Sequence, residues 1–339
     1  MKNANKLSLD RGSGLMEQEK KYKPVSQKPG KVATAFLAQN EQGTTRVFVA
    51  GGSRSGNKKL YTDEAFKLGQ EIGRHDYRLD FGLSSRGIMG AVARGALDTW
   101  AQKGQQSKKM IQGVTTKEYL ALYQSDEVLD QVSDIIVAHT LEERKQQLLN
   151  ADFVIFTPGG VGTLDELAYD CVAMQDGFLN FKPFVMYNID GYFHHLLEYL
   201  KEVNMKGFSD PMPFIVVDDC MEAGIAFEMI GRYYKRCMNK SEARQAVEHI
   251  IYDLPYVIAQ KETYPDKPIS WILDDKDRVL ACNSKTGKQK LMDEIETAYL
   301  NKEIERMYNR LAKSGRDTAA VSYKLSSLKK RSRRRKGEM

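Results

Sequence analysis

Glu166 closes the segment Pro158-Gly159-Gly160-Val161-Gly162-Thr163-Leu164-Asp165-Glu166, in which one proline and three glycines fall within five positions. Glycine tolerates positive φ and lets an anion approach the backbone closely, because no Cβ intervenes. An apolar run over residues 152–157 (DFVIFT) precedes the segment and an apolar-periodic one follows it, so the pattern predicts strand, glycine loop and helix start. The free N–H groups and positive dipole end of that helix would face the same space, which is the chemistry of phosphate binding. No Gly-Lys-Ser/Thr follows, so the loop is not a P-loop, and it is not a G-x-G-x-x-G dinucleotide fingerprint. Its distinguishing feature is a carboxylate one helical turn from a site suited to negative charge. Thr163-x-x-Glu166 also has the spacing of a capping box, with Thr163 as the cap and Glu166 reaching back to it, so capping and catalysis are both open for this glutamate.

Upstream, Glu142-Glu143-Arg144-Lys145 opens a segment over 141–150 whose Leu141, Leu148 and Leu149 predict a helix packed on a sheet. Arg144 would then lie at the start of a helix beside the loop of the next strand. A guanidinium with a pKa above ~12 does not surrender a proton, so its role would be orientation and charge stabilisation. Cys171, Cys220, Cys237 and Cys282 have neither C-x-x-C spacing nor a histidine framework, which argues against zinc and against structural disulfides. His194-His195, on an expected helix, read as surface or interface residues rather than metal ligands.

Stepping from these residues to the elements that must hold them, short apolar runs alternate with longer amphipathic ones between residues 46 and 237. The strand candidates are RVFVA, YRLDF, MIQGV, DIIVA, DFVIFT, FVMYN and FIVV. The alternation predicts right-handed βαβ units in a doubly wound, Rossmann-like parallel sheet of about seven strands, with ligands beyond the carboxyl ends of the strands. Residues 1–45 are polar, carry Pro24 and Pro29, and read as a mobile N-terminal arm. Residues 238–323 form a C-terminal extension, read as a hairpin (269–273 and 279–282 around the acidic turn 274–277) followed by a helix over about 289–311. The last stretch, Lys329-Lys330-Arg331-Ser332-Arg333-Arg334-Arg335-Lys336, puts seven positive charges in eight positions, more than the net charge of +6 of the whole chain. It reads as a disordered basic tail over 324–339, with weak nonspecific contact to polyanions as the alternative to plain solvation. With 42% hydrophobic residues, no apolar run of membrane-spanning length and no apolar core of a secretory signal near its start, the chain reads as a cytoplasmic enzyme.

An E-R-K helix, a short strand and P-G-G-x-G-T-x-x-E together resemble the Lonely Guy family, long labelled lysine decarboxylases, whose members are phosphoribohydrolases of nucleoside 5′-monophosphates, cytokinin nucleotides among them. The resemblance covers roughly residues 46–235. It includes Gly51-Gly52-Ser53-Arg54-Ser55-Gly56 after the first strand, Gly87-Ile88-Met89-Gly90, Lys182-Pro183 and Tyr187-Asn188-x-Asp190-Gly191-Tyr192. Leu83 and Ser84 stand where the family has glycines beside the nucleotide, and Glu142 stands where it usually has histidine.

The resemblance implies hydrolysis of the N-glycosidic bond of an AMP-like or cytokinin nucleotide to free base and ribose 5-phosphate, with no metal and no other cofactor. It implies Glu166 and Arg144 as catalytic residues. Gly159, Gly160, Gly162, Thr163, Gly52, Ser53, Gly82, Gly87, Met89 and Lys145 are the implied phosphate and nucleotide contacts. It also implies a homodimer or larger even oligomer, for which the expected helix over 165–174 offers apolar residues. Two alternatives stay open: a nucleotide-sensing or carrier module without turnover, and a nucleic-acid-associated protein. No lysine stands in a convincing Schiff-base context, so a pyridoxal-phosphate decarboxylase is excluded.

Overall fold

The computed structural model describes residues 23–24, 44–105, 110–121, 128–132, 134–179, 181–237 and 239–313. Most of the expected N-terminal arm and the whole basic tail lie outside the described residues. After the two-residue strand β1 (Lys23–Pro24) come β2 (Arg46–Ala50), α1 (Lys59–Arg74), β3 (Arg78–Phe81) and α2 (Gly87–Gln102). Next are β4 (Ile111–Thr116), α3 (Lys117–Leu120), β5 (Asp134–Ala138), α4 (Leu141–Leu149) and β6 (Phe153–Phe156). The chain continues through α5 (Val161–Gln175), β7 (Phe184–Tyr187), α6 (His194–Met205), β8 (Phe214–Val217) and α7 (Cys220–Tyr233). Three helices close it: α8 (Lys240–Thr263), α9 (Ile269–Ala281) and α10 (Lys285–Lys313).

The strands form one sheet in the order β1-β5-β4-β3-β2-β6-β7-β8, and every pairing is parallel. All seven apolar runs become strands, and β1 adds an edge pairing of Lys23 with Ile136 inside the segment expected to be an arm. The central strands are apolar on both faces because helices cover both: Val47, Phe48 and Val49 of β2 and Phe153 to Phe156 of β6 are almost fully buried. The chain builds outward from β2 to β5, then returns to lay β6 on the other side of β2. That reversal is a topological switch point, where the loops leaving two neighbouring strands diverge and open a crevice.

At the amino ends of the strands, opposite that crevice, charges lock the register. Arg46 Nε donates to Asp80 at 2.9 Å, Arg78 Nη2 reaches Asp134 at 2.7 Å, and Arg46 N donates to Asp152 at 2.7 Å.

The C-terminal extension corrects the hairpin expectation, because residues 269–281 form helix α9. The spacing of its buried Ile272, Leu273 and Lys276 is that of one helix face. The acidic cluster taken for a turn is the outer surface of this helix: Asp274 and Asp277 each lie 2.7 Å from Arg232 Nη2 on α7. Lys276, wholly buried, donates to Asp253 on α8. The last helix, expected over about 289–311, runs from Lys285 to Lys313. No helix of the described residues is long and apolar enough to cross a membrane.

Candidate active site

The loops after β2, β3 and β6 meet at the switch point and hold each other through backbone. Gly52 N donates to Pro158 O at 3.1 Å, and Gly52 O accepts from Ile88 N at 2.9 Å and Met89 N at 3.2 Å. Gly87 sits at φ +61°, where a Cβ would lie 2.5 Å from Arg54 N. Any other residue there would push the β3 loop off the β2 loop. Gly159 is required by packing as well, since a Cβ on it would lie 2.8 Å from Thr163 Cβ. Gly160 and Gly162 are different, because a Cβ on either would meet nothing within 4 Å. They line the open side of the loop at the start of α5, where the helix N–H groups and dipole favour an anion.

Gly160 is the N-cap of α5 and makes no side-chain cap. Thr163 and Glu166 therefore both lie inside the helix, and the capping-box reading of the pair does not hold. A box of nearly that form occurs instead at the start of α4: Thr140 Oγ1 accepts from Glu143 N at 3.1 Å, and Glu143 Oε2 accepts from His139 N at 2.8 Å.

This cap orients α4 so that Arg144 points at Glu166. Arg144 Nη1 lies 3.6 Å from Glu166 Oε1, and the two side chains are 12% and 13% exposed. Arg144 Nε donates to Val114 O at 3.1 Å and Nη2 to Gly82 O at 3.4 Å, with the Tyr119 ring 5.6 Å from Cζ. A Cβ on Gly82 would run into that guanidinium and would lie 3.2 Å from Met89 Sδ. Burial pushes the Glu166 carboxyl from 4.5 up to about 7, and Arg144 only partly offsets it. A carboxyl poised there can accept or hold a proton near neutral pH.

Of the other residues singled out in the sequence, Ser53 is exposed on the β2 loop. Lys145 turns to Asp165, 3.1 Å away, and lies over the Tyr169 ring at 4.8 Å. Leu83 adopts φ +55° and is buried. Its side chain fills the space in front of Gly113, whose Cβ would lie 3.1 Å from Leu83 Cγ. Ser84 is buried too, and its Oγ accepts from Arg86 N at 3.3 Å.

The wall opposite is built from residues with no chemical motif of their own in the sequence. Tyr192 donates its phenol to Gly159 O, Asp190 at φ +58° pairs with Lys58, and Tyr61 meets Tyr192 edge to face at 6.1 Å. Their only signal was the Tyr187-Asn188-x-Asp190-Gly191-Tyr192 segment, in which nothing marks a contact to a loop 33 residues upstream.

Residues 89–223 match the family described as possible lysine decarboxylase. A cytokinin riboside 5′-monophosphate phosphoribohydrolase of Arabidopsis thaliana is 30% identical over 167 residues, which cover 49% of this chain and 72% of that protein. The chain belongs to the Lonely Guy family. A probable enzyme of the same name from Oryza sativa subsp. japonica is 31% identical over 166 residues, but the match spans only 64% of its length and 49% of this chain. A molybdenum cofactor carrier protein from Chlamydomonas reinhardtii is 20% identical over 56% of this chain and 98% of its own, with a TM-score of 0.40. In this Lonely Guy chain, α8, α9 and α10 extend beyond the matched family segment.

Proposed function

We propose that the protein hydrolyses the N-glycosidic bond of a nucleoside 5′-monophosphate, giving free base and ribose 5-phosphate. The observation that carries this reading is the Arg144–Glu166 pair, 3.6 Å apart and largely buried, beside a glycine loop whose outer side is open. The phosphate is held by the backbone of residues 159–163 and the amino end of α5, far from the bond that breaks, and serves as a remote handle for positioning.

As the C1′–N bond lengthens, its electron pair leaves with the base and positive charge develops on the sugar. The Glu166 carboxylate stabilises that charge and orients the attacking water. Water oxygen then bonds to C1′ and its proton passes to the Glu166 carboxylate, whose pKa is near 7, and from there to the departed base, which completes the free base and restores the carboxylate. Arg144 fixes the carboxylate by its contact to Glu166 and is itself held by Gly82 O and Val114 O. In the protonated form Glu166 offers no negative charge, so the deprotonated enzyme is the active one.

The test is release of free base from a panel of nucleoside 5′-monophosphates by the full chain and by Glu166→Gln. Glutamine keeps the shape and removes the charge, so turnover should fall by roughly a hundredfold or more. An unchanged rate in Glu166→Gln would place the chemistry elsewhere.

Leu83 favours one second reading, a carrier that binds a phosphorylated ligand without turnover. A buried leucine in a left-handed conformation takes up room above Gly113 beside the Arg144 guanidinium. Tight binding by calorimetry with no base released from any member of the panel would select that reading.

A further inference from the structure

Helix α10 lies outside the matched family segment, yet it reaches back to the carboxyl ends of β7 and β8. Arg306, 18% exposed, donates from Nε to Asp218 Oδ2 at 3.0 Å and from Nη2 to Val216 O at 2.8 Å. Lys302 adds a second cation 3.2 Å from Asp218. Asp218 Oδ1 accepts from Asn188 Nδ2 at 3.0 Å, and Asn188 Oδ1 accepts from Phe193 N at 2.9 Å. The turn between those two bonds presents Tyr192, whose phenol donates to Gly159 O.

That last contact bears on the phosphate loop through peptide geometry. The carbonyl of Gly159 and the N–H of Gly160 share one planar trans unit and point in opposite directions. A donor that fixes the carbonyl therefore aims the N–H, and Gly160 is at the open side of the loop.

We propose that Arg306 is a positioning residue for the glycine loop: it fixes Asp218, Asp218 fixes Asn188, and the turn so held sets Tyr192 on Gly159 O, which aims the Gly160 N–H at a bound phosphate. The proposal rests on reading that loop as the anion handle. Two further ties of α10, Arg310 to Glu198 and Glu303 to Lys201, end on α6, while Lys302 also binds Glu222, whose Oε2 accepts from Asp218 N at 2.8 Å, and Glu303 lies 3.2 Å from Arg306 Nη1, so these two brace the same Asp218 node.

The experiment uses the full chain with Arg306→Met, Arg306→Lys, Tyr192→Phe, the Arg306→Met/Tyr192→Phe double variant and Arg310→Ala. Amide exchange over residues 159–163 is read by mass spectrometry, and KM and kcat are measured with AMP as the probe. Arg306→Met and Tyr192→Phe should each speed exchange of the loop about tenfold and raise KM about tenfold with kcat within about twofold, because a remote handle binds ground and transition states alike. The double variant should be no worse than either single one, since both cut the same route. Arg306→Lys should recover part of the effect, and Arg310→Ala should match the unmutated protein. Exchange unchanged in Arg306→Met and in Tyr192→Phe, additive losses in the double variant, or an equal defect in Arg310→Ala would overturn the assignment. If the unmutated chain leaves AMP intact, the hydrolase reading fails for that nucleotide, and the exchange rates alone decide the role of Arg306.

Discussion

Glu166→Gln should make the protein more stable at pH 8 even as it removes activity. The Glu166 side chain is 13% exposed, and burial raises its carboxyl from 4.5 to about 7 in spite of Arg144. Between those two values the native state holds a proton that the unfolded chain has lost, so stability falls as pH rises through the window. Above the folded value the loss is complete. At about 1.4 kcal/mol per pH unit it amounts to roughly 3 kcal/mol. Glutamine has the shape of the protonated acid and no charge to desolvate, so the variant escapes the loss. It should exceed the unmutated protein by roughly 3 kcal/mol at pH 8 and by less than about 1 kcal/mol at pH 5. For a domain of this size that corresponds to roughly 6–12 °C in Tm at pH 8. Urea melts at pH 5, 6.5 and 8, followed by the fluorescence of Trp100 and Trp271, would measure it. No gain at pH 8, or a gain of the same size at pH 5, would show that the carboxylate is favoured where it sits, and the account of its raised pKa would be wrong.

Because the carboxylate form is the active one, kcat/KM for the best nucleotide should rise with pH and level off above an inflection near 7, the value to which burial brings Glu166; the residual rate of Glu166→Gln should lack that inflection. Gly113→Ala should cost about 1–3 kcal/mol by overpacking, since the new Cβ would lie 3.1 Å from Leu83 Cγ, and adding Leu83→Ala should restore most of it in a thermal melt. Lys276→Met should lower stability by up to about 3–5 kcal/mol, because it takes the wholly buried cation from the buried Asp253 carboxylate and leaves it His249 at 2.8 Å, while Lys276→Met with Asp253→Leu should recover most of that in the same melt. Val161, Leu164 and Val172, 82%, 45% and 56% exposed, share one outer face of α5, so light scattering at micromolar concentration should give an even oligomer, and Val172→Glu should shift it toward monomer.

The sheet was legible in the sequence because each strand from β2 to β8 is a short apolar run, buried on both faces in β4, β6 and β7 and on alternate residues in β8, and each is separated from the next by enough chain to cross over. DIIVA over 134–138 and FIVV over 214–217 need no adjustment. The extension was not legible in the same way. Over 269–281, adjacent apolar pairs at Ile272-Leu273 and Val279-Leu280 flank charged residues, which fits a hairpin until Arg232 and Asp253 supply partners for that charge. Glu166 is a similar case. Its spacing from Thr163 fits a cap, and only the start of α5 at Val161 moves the pair into the helix. Arg144 and Glu166 were identifiable as residues of interest, but Tyr192 and Arg306 act through contacts 33 and 88 residues away in sequence, where no local pattern speaks.

Helices α1 and α2 touch backbone to backbone. A Cβ on Gly69 would lie 2.9 Å from Ala96 N, one on Gly73 2.6 Å from Thr99 Cβ, and one on Gly95 3.1 Å from Gln70 N. With backbone on backbone at Gly69 and Gly95 and a short threonine against Gly73, the two helices have little between them to repack and form a stiff plate. The plate ends at Ile88 and Met89, bonded to Gly52, so the β2 and β3 side of the crevice is an anvil. The opposite side is a turn tied to its surroundings mainly through side chains, by Asn188 to Asp218, Tyr192 to Gly159 O and Asp190 to Lys58, and is the jaw. A ligand too large for the resting crevice should displace the jaw rather than the anvil, and substitutions that change which ligand is admitted should accumulate on that side.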